Sequence, residues 1–224
     1  MNIIRAAFEE EIAHINKYMQ LLYDIENGAK LSINGNTQDI NPDLFKVLKA
    51  NTFLLLYNLL ESTVRKSVEH IHLSIKAENV AYKDVIVEIQ KIWVEYKYKN
   101  FQKIGVDNIF KTWVDMVDDC IQVEYEDYIK NVKNSALSGN VNQVMTNKIA
   151  QKYKFEPNSR VIGRKLNLIK DKRNYLAHGN LTFVDCGKDY VFSDLNNLKR
   201  ETVLFLYEFM KKVEQYTQDK KYKR

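Results

Sequence analysis

Arg173 and His178 are the two side chains of this 224-residue chain whose types and placement suggest chemistry. They bracket the stretch Arg173-Asn174-Tyr175-Leu176-Ala177-His178, which ends at Gly179. Ile162, Leu166, Ile169, Arg173 and Leu176 follow one another at three- and four-residue spacings, so an apolar helix face carries a guanidinium in its fourth place. An unpaired buried charge is costly, so Arg173 must be paired or must face a cleft or a partner. Arginine grips phosphate oxygens two at a time, and histidine is the side chain that exchanges protons near neutral pH. Their proximity points to phosphate chemistry.

The reaction such a pair can run is cleavage of RNA without a metal. The imidazole takes the proton from a ribose 2′-hydroxyl, which attacks the adjacent phosphorus. The guanidinium holds the non-bridging oxygens and stabilises the added charge in the transition state. The products would be a 2′,3′-cyclic phosphate and a 5′-hydroxyl, and DNA, lacking the internal nucleophile, would be spared. Five residues on an ideal helix turn through about 140°, so the two side chains do not share a face. Either Gly179 lets the last turn unwind, or two copies of the helix meet about a two-fold axis and each supplies half of a cleft.

Each residue also has a plainer reading. Arg173 can make a structural salt bridge with Asp171 or Glu61, and His178 can cap the C-terminal end of its helix, where the dipole favours a cation. Glu61, just past an apolar run, is a candidate to pair with Arg173 or orient His178. Asn58, three residues earlier, shares the face of Glu61. His70 and His72 are two apart and lie on different faces of a helix, His14 reads as a surface residue, and neither cysteine has ligand spacing. No metal and no cofactor is expected.

The elements that position these groups read as helices. The scarcity of glycine (7) and proline (2) favours long uninterrupted ones. Ile4, Phe8, Ile12, Ile15, Met19 and Leu22 stripe a first helix from about Ile3 to Asn27, with Gly28 as its left-handed stop. Residues 28–41 form a loop or a short hairpin around Asn34-Gly35. Asn41-Pro42-Asp43 opens a helix that reaches about Lys76. Its middle, Phe53 to Leu60, is apolar almost all round and so is covered on every side, deep in a bundle or against a second subunit.

Residues 80–132 are helical again, more charged and aromatic, and divided near Gly105. In them Trp93, Tyr96, Tyr98 and Phe101 interleave with Lys97, Lys99 and Lys103, a pattern of packing with snorkelling lysines or of base stacking. A connector then leads to a short helix around Gln143–Tyr153 and to the Arg173 helix. After Gly179, LTFVDC and DYVF read as strands of a small hairpin turned at Gly187-Lys188. A final helix starts near Ser193 or Asp194 and turns Leu195, Leu198, Thr202, Phe205, Phe209 and Val213 inward. The basic tail, 218–224, is expected to fray.

The whole is an all-α bundle in one domain, with 80–132 as a candidate helical insertion. The net charge of +5 permits RNA as a partner without demanding it. No run is apolar enough to span a membrane, and the first residues do not read as a secretory signal. Cys120 and Cys186 suit free thiols in a reducing cytoplasm.

Arg-Asn-x-x-x-His on a late helix of an all-α bundle resembles the HEPN superfamily (higher eukaryotes and prokaryotes nucleotide-binding domain). The context IKDKRNYLAHGNLTF, followed by a hairpin and a closing helix, is similar to its prokaryotic toxin and defence ribonucleases. The resemblance is strongest over 140–216, looser over 42–75 and weak over 80–132. It implies a homodimer with a composite RNase site, in which Arg173 and His178 are catalytic and Asn174 helps orient them. It also implies a toxin of a toxin–antitoxin or antiphage system, with an antitoxin protein as a partner. Some toxins of the superfamily carry a modifiable tyrosine two residues beyond the histidine; here Asn180 stands there. The alternative is a non-catalytic HEPN module that binds RNA or a nucleotide, or serves dimerisation.

Overall fold

The computed structural model describes residues 2–101, 106, 109–110, 113–114 and 140–224. Helix α1 (Asn2–Glu26) is followed by strands β1 (Leu31–Ile33) and β2 (Asn36–Gln38), then α2 (Pro42–Ala77). A short 3₁₀ turn (Tyr82–Asp84) leads to α3 (Val87–Phe101); α4 (Gln143–Tyr153), α5 (Gly163–Ala177), α6 (Phe183–Lys188) and α7 (Phe192–Gln218) complete the order. This is an all-α fold with one antiparallel hairpin among the described residues.

Helix α2 is the axis of the bundle, and α1, α5, α6 and α7 all pack on it, while α3 packs on α4. Its start is fixed locally: the Asn41 side chain accepts from the Asp43 and Leu44 N–H groups, and Pro42 occupies the first turn, where no donor is needed. Phe53, Leu56, Tyr57, Leu59 and Leu60 are all but inaccessible to water. Phe8, Ile15, Met19 and Leu22 of α1 and Leu195, Phe205, Phe209 and Val213 of α7 close over them. The described residues do not cover the α2 centre on every side, however. Leu54 and Leu55 are half-buried and Asn58 is exposed.

Two expectations are corrected. The hairpin placed between the Arg173 helix and the last helix is a short helix, α6. Thr182 caps it, its Oγ1 accepting from the Asp185 N–H at 3.0 Å while its hydroxyl donates to the Asp185 carboxylate at 2.7 Å. Gly187 is not a turn residue but a point of close approach. A Cβ there would stand 1.9 Å from the Lys46 carbonyl oxygen, so only glycine lets α6 lie this tightly on α2. The fold's hairpin is at 31–38 instead, with Asn34 (φ 51°) and Gly35 (φ 81°) supplying the two left-handed turn positions.

The tail does not fray either. Tyr222 is fully buried, its carbonyl accepts from the Ile86 N–H at 2.9 Å, and the Arg224 N–H donates to the Asp84 carbonyl at 2.9 Å. Lys220 and Lys223 both pair with Glu78, and that pairing pulls the Glu78 carboxyl down to about 2. One aromatic side chain and one acid convert a basic run into a strap. No helix among the described residues is long and apolar enough to cross a membrane.

Candidate functional site

Helix α5 presents the candidate pair. Its inner face, Ile162, Leu166, Ile169 and Leu176, is buried as the spacing requires. Arg173 lies in that row but is only half-buried. Its guanidinium carbon stands 4.7 Å from the centroid of the Tyr57 ring of α2, and its Nη1 donates to Asn174 Oδ1 at 3.0 Å. Among the described residues no carboxylate pairs with it; the nearby Asp171 pairs with Lys170 at 3.2 Å.

Magnitudes explain the half-burial. A cation over an aromatic face gains about 0.5–2 kcal/mol. Full desolvation of an ion costs several times that. The ring therefore carries the guanidinium at the edge of the core while leaving its outer side toward water. A positive charge held by a neutral ring and an amide, not by an acid, remains available to an anion.

Tyr57 is itself fixed at both ends. Its ring is fully buried, and its hydroxyl accepts the Val141 N–H at 3.1 Å. Burial pushes that hydroxyl above its ordinary range; the Val141 hydrogen bond and the Arg173 charge act against the rise, and the Glu61 charge adds to it. Glu61, half-buried one turn further along α2, thus acts on the same ring that carries Arg173. No hydrogen bond or ion pair joins Glu61 to Arg173 among the described residues, and Asn58 points to solvent as an exposed residue.

His178 follows the last helical residue and is exposed. Its N–H still bonds to the Asn174 carbonyl at 3.0 Å, so the final turn stays helical through His178. Gly179, at φ 70°, then stops the helix in a Schellman arrangement: Gly179 N–H donates to Leu176 O at 3.3 Å and Asn180 N–H to Tyr175 O at 2.8 Å. Unwinding of the last turn is therefore not what could bring the imidazole to Arg173. The histidine belongs to the outward face of α5 with the exposed Arg164, Asn167 and Tyr175. The structure joins Arg173 to Asn174 and Tyr57, and leaves His178 on another side of the same helix.

Tyr57 is the residue sequence reasoning missed. It was visible only as the one hydroxyl-bearing ring in the apolar run Phe53–Leu60, and no spacing within α2 reveals a contact made across to α5.

The remaining candidates divide simply. His14 is exposed, and His72 is buried with its Nε2 at 2.6 Å from the Tyr153 hydroxyl. No group of three or more His, Cys, Asp or Glu among the described residues could hold a metal ion. Cys186 is a buried free thiol, and Cys120 lies outside the described residues. Trp93 packs inside, its ring 5.3 Å from that of Tyr82. The side chains of Tyr96, Lys97, Tyr98, Lys99, Phe101 and Lys103 lie outside the described residues.

A central helix wrapped by others, with Arg-Asn-x-x-x-His at the end of a packed late helix, defines a HEPN-type helical module. The family model described as HEPN_MAE_28990-like HEPN matches residues 3–222, so the chain belongs to that family. The match takes in the stretch 80–132 as well as the motif helix. No curated protein and no solved structure matches the chain.

Proposed function

We propose that this HEPN protein is a metal-independent endoribonuclease that cleaves RNA by attack of the 2′-hydroxyl on the neighbouring phosphorus. The observation that carries the reading is the Arg173 guanidinium, half-buried over Tyr57 and without an acid partner among the described residues. A cation in that state is suited to a phosphodiester, whose non-bridging oxygens it can bind in pairs. His178 is the general base for the 2′-hydroxyl, and Asn174 steadies Arg173. Glu61 and Asn58 are supporting residues, the first through its charge near the Tyr57 ring.

Since His178 and Arg173 diverge on one helix, the reading includes a homodimer in which two copies of α5 face each other and build a composite cleft. The exposed outward face of α5 and the incompletely covered Leu54 and Leu55 of α2 support it. The proposed setting is a toxin of a toxin–antitoxin or antiphage system in the cytoplasm, with an antitoxin protein as a second partner. The test is RNA incubated with the wild-type dimer in EDTA beside His178→Ala. Cutting by the wild type alone supports the reading; an intact wild-type dimer that leaves RNA whole refutes it.

One observation favours a second reading. In a single chain the exposed His178 makes no side-chain hydrogen bond among the described residues, as suits a non-catalytic module that binds RNA or a nucleotide through Arg173. Binding without cutting, unchanged in His178→Ala, distinguishes it.

A further inference from the structure

We infer that Tyr57 is the positioning residue for Arg173: its ring carries the guanidinium, and its hydroxyl, tied to the Val141 backbone, holds the ring at the right height in the seam between α2 and α5. The inference rests on the proposed use of Arg173 as a phosphate-binding cation, but the contact itself can be tested separately.

Three observations converge on this residue. The guanidinium carbon lies 4.7 Å from the ring centroid, within the range of a cation–π contact. The ring is wholly excluded from water, so its electrostatic attraction for the cation is little screened from below. The hydroxyl accepts the Val141 N–H at 3.1 Å, which pins the far end of the ring to the backbone where the chain enters α4. The guanidinium has one hydrogen-bond partner among the described residues, the side chain of Asn174 on its own helix. Tyr57 references the guanidinium to a second helix.

An acid at this place would bind the guanidinium more strongly, but it would neutralise the charge that a phosphate needs. A neutral ring places the cation without competing for its donors. Beyond the Nη1 donor taken by Asn174 Oδ1, the guanidinium N–H groups can fork onto two phosphate oxygens while the ring carries the cation.

The experiment uses the full chain. The side-chain Nε–Hε resonance of Arg173, assigned by its loss in Arg173→Lys, is expected to be displaced by the Tyr57 ring current in the wild type and in Tyr57→Phe. In Tyr57→Leu it is expected to return to the position of a solvent-exposed arginine. RNA cutting should fall roughly tenfold in Tyr57→Leu, mainly in kcat, and recover only in part in Tyr57→Phe, which keeps the ring but loses the tie to Val141. Phe53→Leu, an equally buried aromatic of α2 with no cation–π contact to Arg173 among the described residues, controls for lost core packing and should cut normally below its melting temperature. An undisplaced Arg173 resonance in the wild type overturns the inference whether or not Tyr57→Leu folds. So does a folded Tyr57→Leu with unchanged resonance, or an equal loss of cutting in Phe53→Leu. If the wild type cuts no RNA, the ribonuclease reading fails while the resonance still decides the contact.

Discussion

The side-chain oxygen of Asn174 takes a 3.0 Å hydrogen bond from Nη1 of Arg173, and the carbonyl of the same residue takes the N–H of His178 at 3.0 Å. One residue thus fixes the rotamer of the cation and the helical turn that bears the imidazole. Asn174 touches both groups although they face different ways.

Arg173→Met separates chemistry from stability. Methionine continues the apolar row of Leu166, Ile169 and Leu176, and removes a half-buried charge. The folding free energy should change by no more than about 1 kcal/mol, with a gain as the natural direction. RNA cutting should be lost. Chemical denaturation checks the first part; a loss beyond about 2 kcal/mol would show that the guanidinium holds the fold together.

Gly187→Ala tests the close crossing of α6 on α2. The added Cβ would meet the Lys46 carbonyl oxygen, a rigid backbone atom, so α6 must move away. The expected loss is about 2–3 kcal/mol or more. The same change in a hairpin turn or a solvated loop would cost far less, and a melting temperature equal to that of the wild type would contradict the placement of α6.

His72 makes the fold acid-sensitive. Its ring is buried against Tyr153, and burial, with the Lys152 charge adding to it, lowers its pKa to about 3. The folded value lies below the unfolded one, so the native state keeps the ring neutral. Its contribution is complete above about pH 6.5 and declines as pH falls toward 3, because only the unfolded chain takes up the proton. The decline is about 1.4 kcal/mol per pH unit in that window. Unfolding free energies measured from pH 7 to pH 4 should fall more steeply for the wild type than for His72→Gln, and parallel curves would count against the buried neutral histidine.

The C-terminal strap should contribute to global stability. Tyr222→Ala empties a fully buried site and should cost roughly 3 kcal/mol. Glu78→Gln should weaken the ion pairs to Lys220 and Lys223 and loosen the strap more at low salt than at high salt. Hydrogen exchange at the Arg224 and Ile86 amides reports both. Fast exchange at these amides in the wild type would contradict the docked tail.

Much of this was legible in the chain because the periodic rows are long. The stripe of α1, the Asn41-Pro42-Asp43 start of α2 and the row from Ile162 to Leu176 each repeat one signal several times. The region after Gly179 was not legible for a physical reason. Phe183, Val184, Tyr190, Val191 and Phe192 favour strands individually, and a six-residue helix is too short to show a period. The signal that decides it is Thr182-x-x-Asp185, a capping pattern, with Gly187 required by the backbone of another helix. In the candidate site, the row predicted where Arg173 sits but not what meets it. Tyr57 lies more than a hundred residues away, and a cross-helix contact leaves no mark on local spacing. The plainer reading of Arg173, a salt bridge to Asp171 or Glu61, finds no such pair among the described residues: Asp171 turns to Lys170, and the Glu61 charge acts on the Tyr57 hydroxyl.

The most direct test of the central claim is cleavage of a short RNA in EDTA, with a single 2′-deoxy sugar placed at the linkage that the wild-type protein cuts. The account predicts cutting of the all-ribose strand to a 2′,3′-cyclic phosphate and a 5′-hydroxyl, and no cut at the deoxy linkage. It also predicts no cut of either strand by Arg173→Met or His178→Ala. Cutting that persists at the deoxy position, or that survives either substitution, would contradict it.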